Sequence, residues 1–314
     1  MDVATLTPAQ QRAYNDLLSP GERPTFRPEL AEELRALIED NVSVAADRLL
    51  PAELRVSKSP LGQVHQCEQH FVAQRAEPFA WSLPVVRGVI AHRAVEMAVH
   101  LPADVPPADI VTQTIDRMID RDDLTNGPRD YLLNASTLEL AELRSAATAW
   151  LTSFQECFPP LRSSWRPRLE TSLRVELCGG RIVLTAKPDL ALGRALGHQA
   201  RVLVIDFKTG APYPGHLDDL RFYALVETLR QGVPPFRVAT YYLDAARWHA
   251  EDVTEDTLSS AARRLVGGIT KMADLMHGLR SPSITPGPSC WYCPLRETCD
   301  GARQWEEERD SLGV

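Results

Sequence analysis

The chain has 314 residues, of which 44% are hydrophobic and 24% charged, and its net charge is −8. Such a length suggests about two domains, and the composition is that of an ordinary folded protein, which excludes a disordered or low-complexity chain. An acidic total also excludes a protein that coats nucleic acid indiscriminately, because phosphate binding leaves a basic footprint.

Residues 161–250 depart from that average. They hold thirteen Lys/Arg against eight Asp/Glu, a local balance of +5 that leaves −13 on the remainder. A basic segment inside an acidic chain is compatible with one nucleic-acid groove. No stretch approaches the roughly 18 apolar residues of a membrane span. The opening MDVATLTPAQQRAYNDLL has neither the basic nor the apolar region of a secretory signal. A cytoplasmic location is expected, where the six cysteines are free or metal-bound rather than disulfide-paired.

In chain order, amphipathic spacing predicts helices over 7–18 and 28–41, with Pro8 and Pro28 where a first helical turn accepts proline. The SPGERPTFRP stretch between them is a loop. After a short irregular piece, SPLGQVHQCEQHFVAQR predicts a helix carrying Cys67. Residues 85–100 have a helical period that puts His92 and Glu96 one turn apart on one face. Further helices are predicted over 106–121 and 136–155.

The texture then changes. LETSLRVEL, a Gly179–Gly180 turn and RIVLTAKPDLAL form a strand–hairpin–strand pattern. RVLVIDF is a continuous apolar run, as expected of a strand buried on both faces. Residues 215–231 return to helix, FRVATYYLD is a fourth strand, and a long helix spans 256–278 before the cysteine-rich PSCWYCPLRETCDGA. There is no internal repeat and no G-x-x-x-x-G-K-[ST] phosphate loop, so the chain is not its own helicase motor.

Three fragments point to one chemistry. Asp189 in KPDLAL ends the second strand, while Asp206 and Lys208 in VIDFKTG lie on or just past the third. On adjacent strands the two carboxylates can meet and bind a hard divalent cation, Mg²⁺ or Mn²⁺, through oxygen. A lysine two residues after a strand aspartate shares its face, where it can assist an attacking water and offset charge on a phosphate.

GVIAHRAVE, KPDLAL, VIDFKTG and HLDDLRFYALV resemble, in order, the motifs of the RecB-like branch of the PD-(D/E)xK nucleases. That resemblance implies that His92, Asp189 and Asp206 hold the metal, that the backbone carbonyl of Phe207 adds a ligand, and that Lys208 is the catalytic lysine. Glu96 fits the family's H-x-x-x-E helix in a supporting role. One departure stands out: the usual Q-x-x-x-Y pair reads Asp219 and Tyr223 here, still on one helical face. A carboxylate is a worse neighbour for a phosphate than an amide, and Arg221 nearby is a candidate to compensate.

Cys290-x₂-Cys293-x₅-Cys299 puts three thiolates within ten residues, and Cys67 is a fourth candidate far upstream. Four thiolates suit zinc or an iron–sulfur cluster, but the two C-x₂-C pairs of a zinc ribbon are missing. The one-plus-three arrangement, with Pro294 after the second tail cysteine, resembles the iron–sulfur nucleases of the same superfamily, the AddB and CRISPR-adaptation types. By that resemblance Cys67, Cys290, Cys293 and Cys299 hold a 4Fe–4S cluster. Cys157 and Cys178 read as small buried hydrophobes. Trp165, Trp248, Trp291 and Tyr241–Tyr242 can stack bases but read first as packing residues, and Arg166, Arg168 and Arg174 are candidates to line a backbone groove.

The expected fold is α/β: a small mixed sheet flanked by helices in a restriction-endonuclease-like core, with a helical N-terminal lobe and a C-terminal cluster segment. The boundaries are 1–80 for the lobe, 81–255 for the core with its helical insertion, and 256–314 for the last helix and cysteines. The expected activity is metal-dependent hydrolysis of DNA, single-stranded or at ends, in repair or recombination. The alternative is a non-catalytic iron–sulfur DNA-binding or scaffold subunit that works with a helicase.

Overall fold

The computed structural model of the chain describes residues 6–19, 21–49, 52–102, 104–120 and 127–311. Residues 1–5 of the predicted lobe, residue 121 of the predicted helix 106–121 and residues 312–314 of the last segment lie outside it.

The N-terminal helices are α1 (Pro8–Ala13), continued by a π turn over Tyr14–Leu18, and α2 (Leu30–Arg48). Thr7 starts α1 by accepting from the Gln10 amide while the Gln10 side chain accepts from Thr7, a reciprocal cap of two orphan donors. β1 (Leu54–Val56) occupies the piece expected to be irregular. The single helix expected around Cys67 is two: α3 (Lys58–Gln66) and α4 (Glu68–Ala76). Cys67 stands between them in an extended conformation (φ −157°, ψ 118°) that no helix accommodates. The cysteine is therefore at a joint and not on a helix.

α5 (Leu83–His100), α6 (Pro107–Asp120), α7 (Arg129–Asn134) and α8 (Thr137–Cys157) form a helical layer in which α5 packs on both α6 and α8. α8 begins with a second reciprocal cap, Ser136 with Glu139.

Two sheets follow where one was expected. β3 (Leu173–Leu177), β4 (Ile182–Ala186) and β1 make a three-stranded sheet ordered β1-β4-β3, with β1 parallel and β3 antiparallel to β4. β2 (Arg168–Leu169), β5 (Leu190–Leu192), β6 (Leu203–Lys208), β7 (Arg237–Tyr242) and β8 (Arg247–Asp252) make the other, in that order. The segments 169–177 and 181–192 each serve both sheets. The first breaks at Glu170, whose φ of +49° is foreign to a strand. The second breaks around Pro188, which cannot donate to a ladder.

β6 pairs antiparallel with β5 and parallel with β7, and the parallel step requires a crossover, supplied by α9 (Gly215–Gln231). Gly232 ends α9 in the left-handed region (φ +78°), where a Cβ would be strained. α10 (Glu255–Met276) packs against α2, α3 and α9, and α11 (Asp300–Ser311) closes the described chain. One continuous apolar cluster runs from Leu17 through β6 to Ala273, so the lobe, the sheets and α10 share a core. No described helix is long and apolar enough to cross a membrane.

Candidate active site

Asp189 stands immediately before β5 and Asp206 inside β6, so the antiparallel pairing of these strands brings both to one edge. Asp189 is tied down at both oxygens. Its Oδ2 accepts from the Phe207 amide at 2.6 Å, and His92 Nδ1 on α5 lies 3.0 Å from its Oδ1. Burial pulls the His92 imidazole down, but Asp189 outweighs this and holds it above its usual value. The Phe207 ring packs edge-on against Phe154 and Tyr241, which fixes the strand on its other side.

Asp206 is 1% exposed and lies between two ammonium groups. Lys58 Nζ donates to Oδ1 at 2.8 Å, and Lys208 Nζ is 2.5 Å from Oδ2. Burial alone would push this carboxyl up; Lys58 and Lys208 overcome it and hold Asp206 below the usual carboxylate range. Lys208 also donates to Asp219 Oδ2 at 3.4 Å. Burial pushes the Asp219 carboxyl up, with Lys208 and Lys58 countering only part of that. Tyr223, one turn further along α9, donates through its hydroxyl to the Lys187 carbonyl at 3.2 Å and so steadies the K-P-D turn.

Two predicted residues lie away from this centre. Glu96 accepts from Arg93 at 2.6 Å on the outer side of α5, beside Met97 and His100. Arg221 is no partner for Asp219: its guanidinium is held by Glu251 on β8 through hydrogen bonds of 2.9 and 2.6 Å.

Glu170 and Lys58 had no signal in the sequence. The Glu170 amide donates to the Asp189 carbonyl at 3.0 Å, and its carboxylate pairs with Lys187. Among the described residues, His92, Glu170 and Asp189 form the group compact enough to share a metal ion, with ligand atoms within 4.8 Å of one another. Asp206 is not in that group, and its two oxygens face Lys58 and Lys208. His216, also unforeseen, lies 3.0 Å from the Tyr242 hydroxyl through Nδ1, and burial with nearby Lys208 pulls it down to about 4.

Cys67, Cys290, Cys293 and Cys299 line one small apolar cavity together with His70. Cys157 and Cys178 are elsewhere and only half-buried, contrary to the expectation of buried hydrophobes, and the Cys178 amide donates to Glu39 at 2.9 Å.

The aromatic residues considered for base stacking have partners within the chain. Trp165 stacks on Tyr14, Trp248 on the fully buried Tyr241, and Trp291 lies under Arg296 and Arg309. Arg168 pairs with Glu227 and Arg174 with Glu176, while Arg166 lines a separate cleft with Trp165 and Arg194.

No curated protein sequence matches the chain. Among solved structures, a protein named SSO0001 is similar at 15% identity with a TM-score of 0.37, covering 86% of this chain and 94% of its own. A Eubacterium rectale protein provisionally named an exonuclease is similar at 12% identity with a TM-score of 0.44, covering 84% of this chain and 91% of its own. The match to the family model of the PD-(D/E)XK nuclease superfamily runs over residues 55–300, from β1 to the first residue of α11. It takes in the Asp189–Asp206–Lys208 edge and all four cavity cysteines, and the chain therefore belongs to the PD-(D/E)XK nuclease superfamily.

Proposed function

We propose that this nuclease is a Mg²⁺- or Mn²⁺-dependent deoxyribonuclease of the RecB-like branch, an exonuclease that acts on single-stranded DNA or DNA ends in repair or recombination. The observation that carries the reading is the meeting of Asp189, Asp206 and Lys208 at one sheet edge, with Lys208 Nζ 2.5 Å from Asp206.

The donors suit a hard divalent cation: two buried carboxylates and an imidazole. Asp189, Asp206 and His92, with the Phe207 carbonyl, would hold it, and Glu170 is close enough to join. Bound there, the cation supplies Lewis-acid polarisation of the scissile phosphate and a more acidic water. Lys208 offsets the charge that develops on the phosphate as attack proceeds. His92 and the Phe207 amide keep Asp189 in place, and Tyr223 fixes the turn that presents it. Glu96 and Arg221 are bound to Arg93 and Glu251 away from this centre, so neither has a direct role in it.

The cavity cysteines are read as the ligands of a 4Fe–4S cluster that clasps the lobe (1–80) to the last segment (256–314) across the nuclease core (81–255). Four thiols around one apolar cavity, two of them buried, suit such a cluster. Location in the cytoplasm and work beside a helicase or repair partner complete the reading.

A second reading, a non-catalytic iron–sulfur DNA-binding or scaffold subunit, draws on Asp219, a carboxylate at 3.4 Å from the proposed catalytic lysine. Cleavage of labelled single and double strands in Mg²⁺ and in Mn²⁺ by wild type and Asp206→Ala separates the two. Turnover lost only in the variant supports the nuclease, and equal behaviour supports the scaffold.

A further inference from the structure

Lys58 reaches the site from outside the sheet that carries the other groups. It is the first residue of α3, and its ammonium crosses 148 positions of sequence to donate to Asp206 Oδ1 at 2.8 Å. Lys208 takes the opposite oxygen and also Asp219. Lys58 Nζ lies 4.9 Å from the centroid of the Tyr223 ring, one turn along α9 from Asp219. The Lys58 side chain is 29% exposed and Asp206 1%, so the ammonium sits at the mouth of the site and points inward.

Formal charges show what it does there. Asp189, Asp206 and Asp219 face Lys58 and Lys208, Glu170 cancels Lys187, and His92 counts as neutral, the form in which an imidazole ligates a metal, which leaves one net negative charge. A divalent cation turns this into one positive charge, the complement of one phosphodiester. Without Lys58 the loaded site is neutral and has lost its net pull on a phosphate. Without Lys58 and Asp219 together the balance is unchanged. Arg221 cannot play this part because Glu251 holds it.

We propose that Lys58 is a second active-site lysine, delivered by the N-terminal helices, that contacts the scissile phosphate and whose charge offsets the carboxylate of Asp219. The proposal rests on the nuclease reading above. With Asp206 engaged by a cation, the Lys58 ammonium is released to take a phosphate oxygen.

The test is the binding of a labelled single-stranded oligonucleotide in Ca²⁺, followed by fluorescence anisotropy over a salt series. Lys58→Met is expected to weaken binding about tenfold and to flatten the slope of log Kd against log salt by about 0.7, the share of one phosphate contact on a single strand. Lys58→Arg keeps the wild-type slope. Asp219→Asn tightens binding with the slope unchanged. The double variant Lys58→Met/Asp219→Asn returns to wild-type affinity within about twofold but keeps the flatter slope. An unchanged slope in Lys58→Met overturns the phosphate contact. Asp219→Asn that binds no tighter overturns the compensation, even if Lys58→Met fails to fold. Wild type that cleaves no DNA in Mg²⁺ or Mn²⁺ brings down the nuclease reading itself, whereas cleaving wild type with unaltered slopes brings down Lys58 alone.

Discussion

Lys58 and Cys67 stand at opposite ends of α3, so one nine-residue helix joins the contact at Asp206 to the cavity of four cysteines. At 1.5 Å per residue the span is about 14 Å. α3 is held from outside: it packs on α9 and α10, and His65 Nε2 lies 2.9 Å from the Arg264 carbonyl.

α10 lies close against α3 at Gly268. A Cβ there would stand 2.3 Å from Leu61 Cδ1 and 3.1 Å from His65 Nε2, and Leu61 is buried. Gly268→Val is therefore expected to push α3 away and to cost about 1–3 kcal/mol, the usual range for overpacking. A lowered urea midpoint with an unchanged slope checks this, and a wild-type midpoint would mean that α3 has room to move.

A second tie holds the tail without any cluster. Glu68, next to Cys67 and buried, receives Arg280 through both oxygens at 2.5 and 2.9 Å and accepts from the Ser283 amide at 3.0 Å. The Arg280 hydrogen bonds, with those from Ser283, outweigh burial and hold the Glu68 carboxyl down at about 2, from an ordinary 4.5. A carboxyl lowered by folding stabilises above its unfolded value, and that stability is lost as pH falls through the folded one. Glu68→Gln should thus be less stable than wild type at pH 7. The gap in denaturation midpoint should close between about pH 4.5 and 2. A gap independent of pH would contradict the assignment.

The cysteine cavity makes its own prediction. Anaerobically purified protein should be brown and hold iron with acid-labile sulfide, and Cys67→Ser should lose both and melt at a lower temperature, because the cross-link between distant segments is gone. Colourless protein that holds zinc and no iron would sink the cluster reading.

The legible parts of this molecule were those whose signals are local. The helix over 215–231, with Gly232 after it, has the bounds its pattern suggests, and the apolar run around Asp206 is a buried strand. The split of 169–177 and 181–192 between two sheets was not legible, because alternation reports a strand but not which sheet it joins. The short β1 and the exposed edge strand RWHAED are too brief or too polar to show a period. In the site, Asp189, Asp206 and Lys208 sit in motif-bearing segments, whereas Lys58 and Glu170 reach it only through tertiary packing. Arg221 looked available on sequence spacing alone; its engagement by Glu251, thirty residues on, follows from the pairing of β7 and β8 beneath α9.

The proposed hydrolysis takes place at the Asp189–Asp206–Lys208 edge. Its most direct measurement is the rate of cleavage by wild type and Asp206→Ala on labelled single-stranded DNA blocked in turn at each end, with Mg²⁺ or Mn²⁺ present. Wild-type cleavage is expected to be suppressed by one of the two blocks, abolished by chelation and reduced at least a hundredfold in Asp206→Ala. Equal rates in the two proteins, or no cleavage by either, would contradict it.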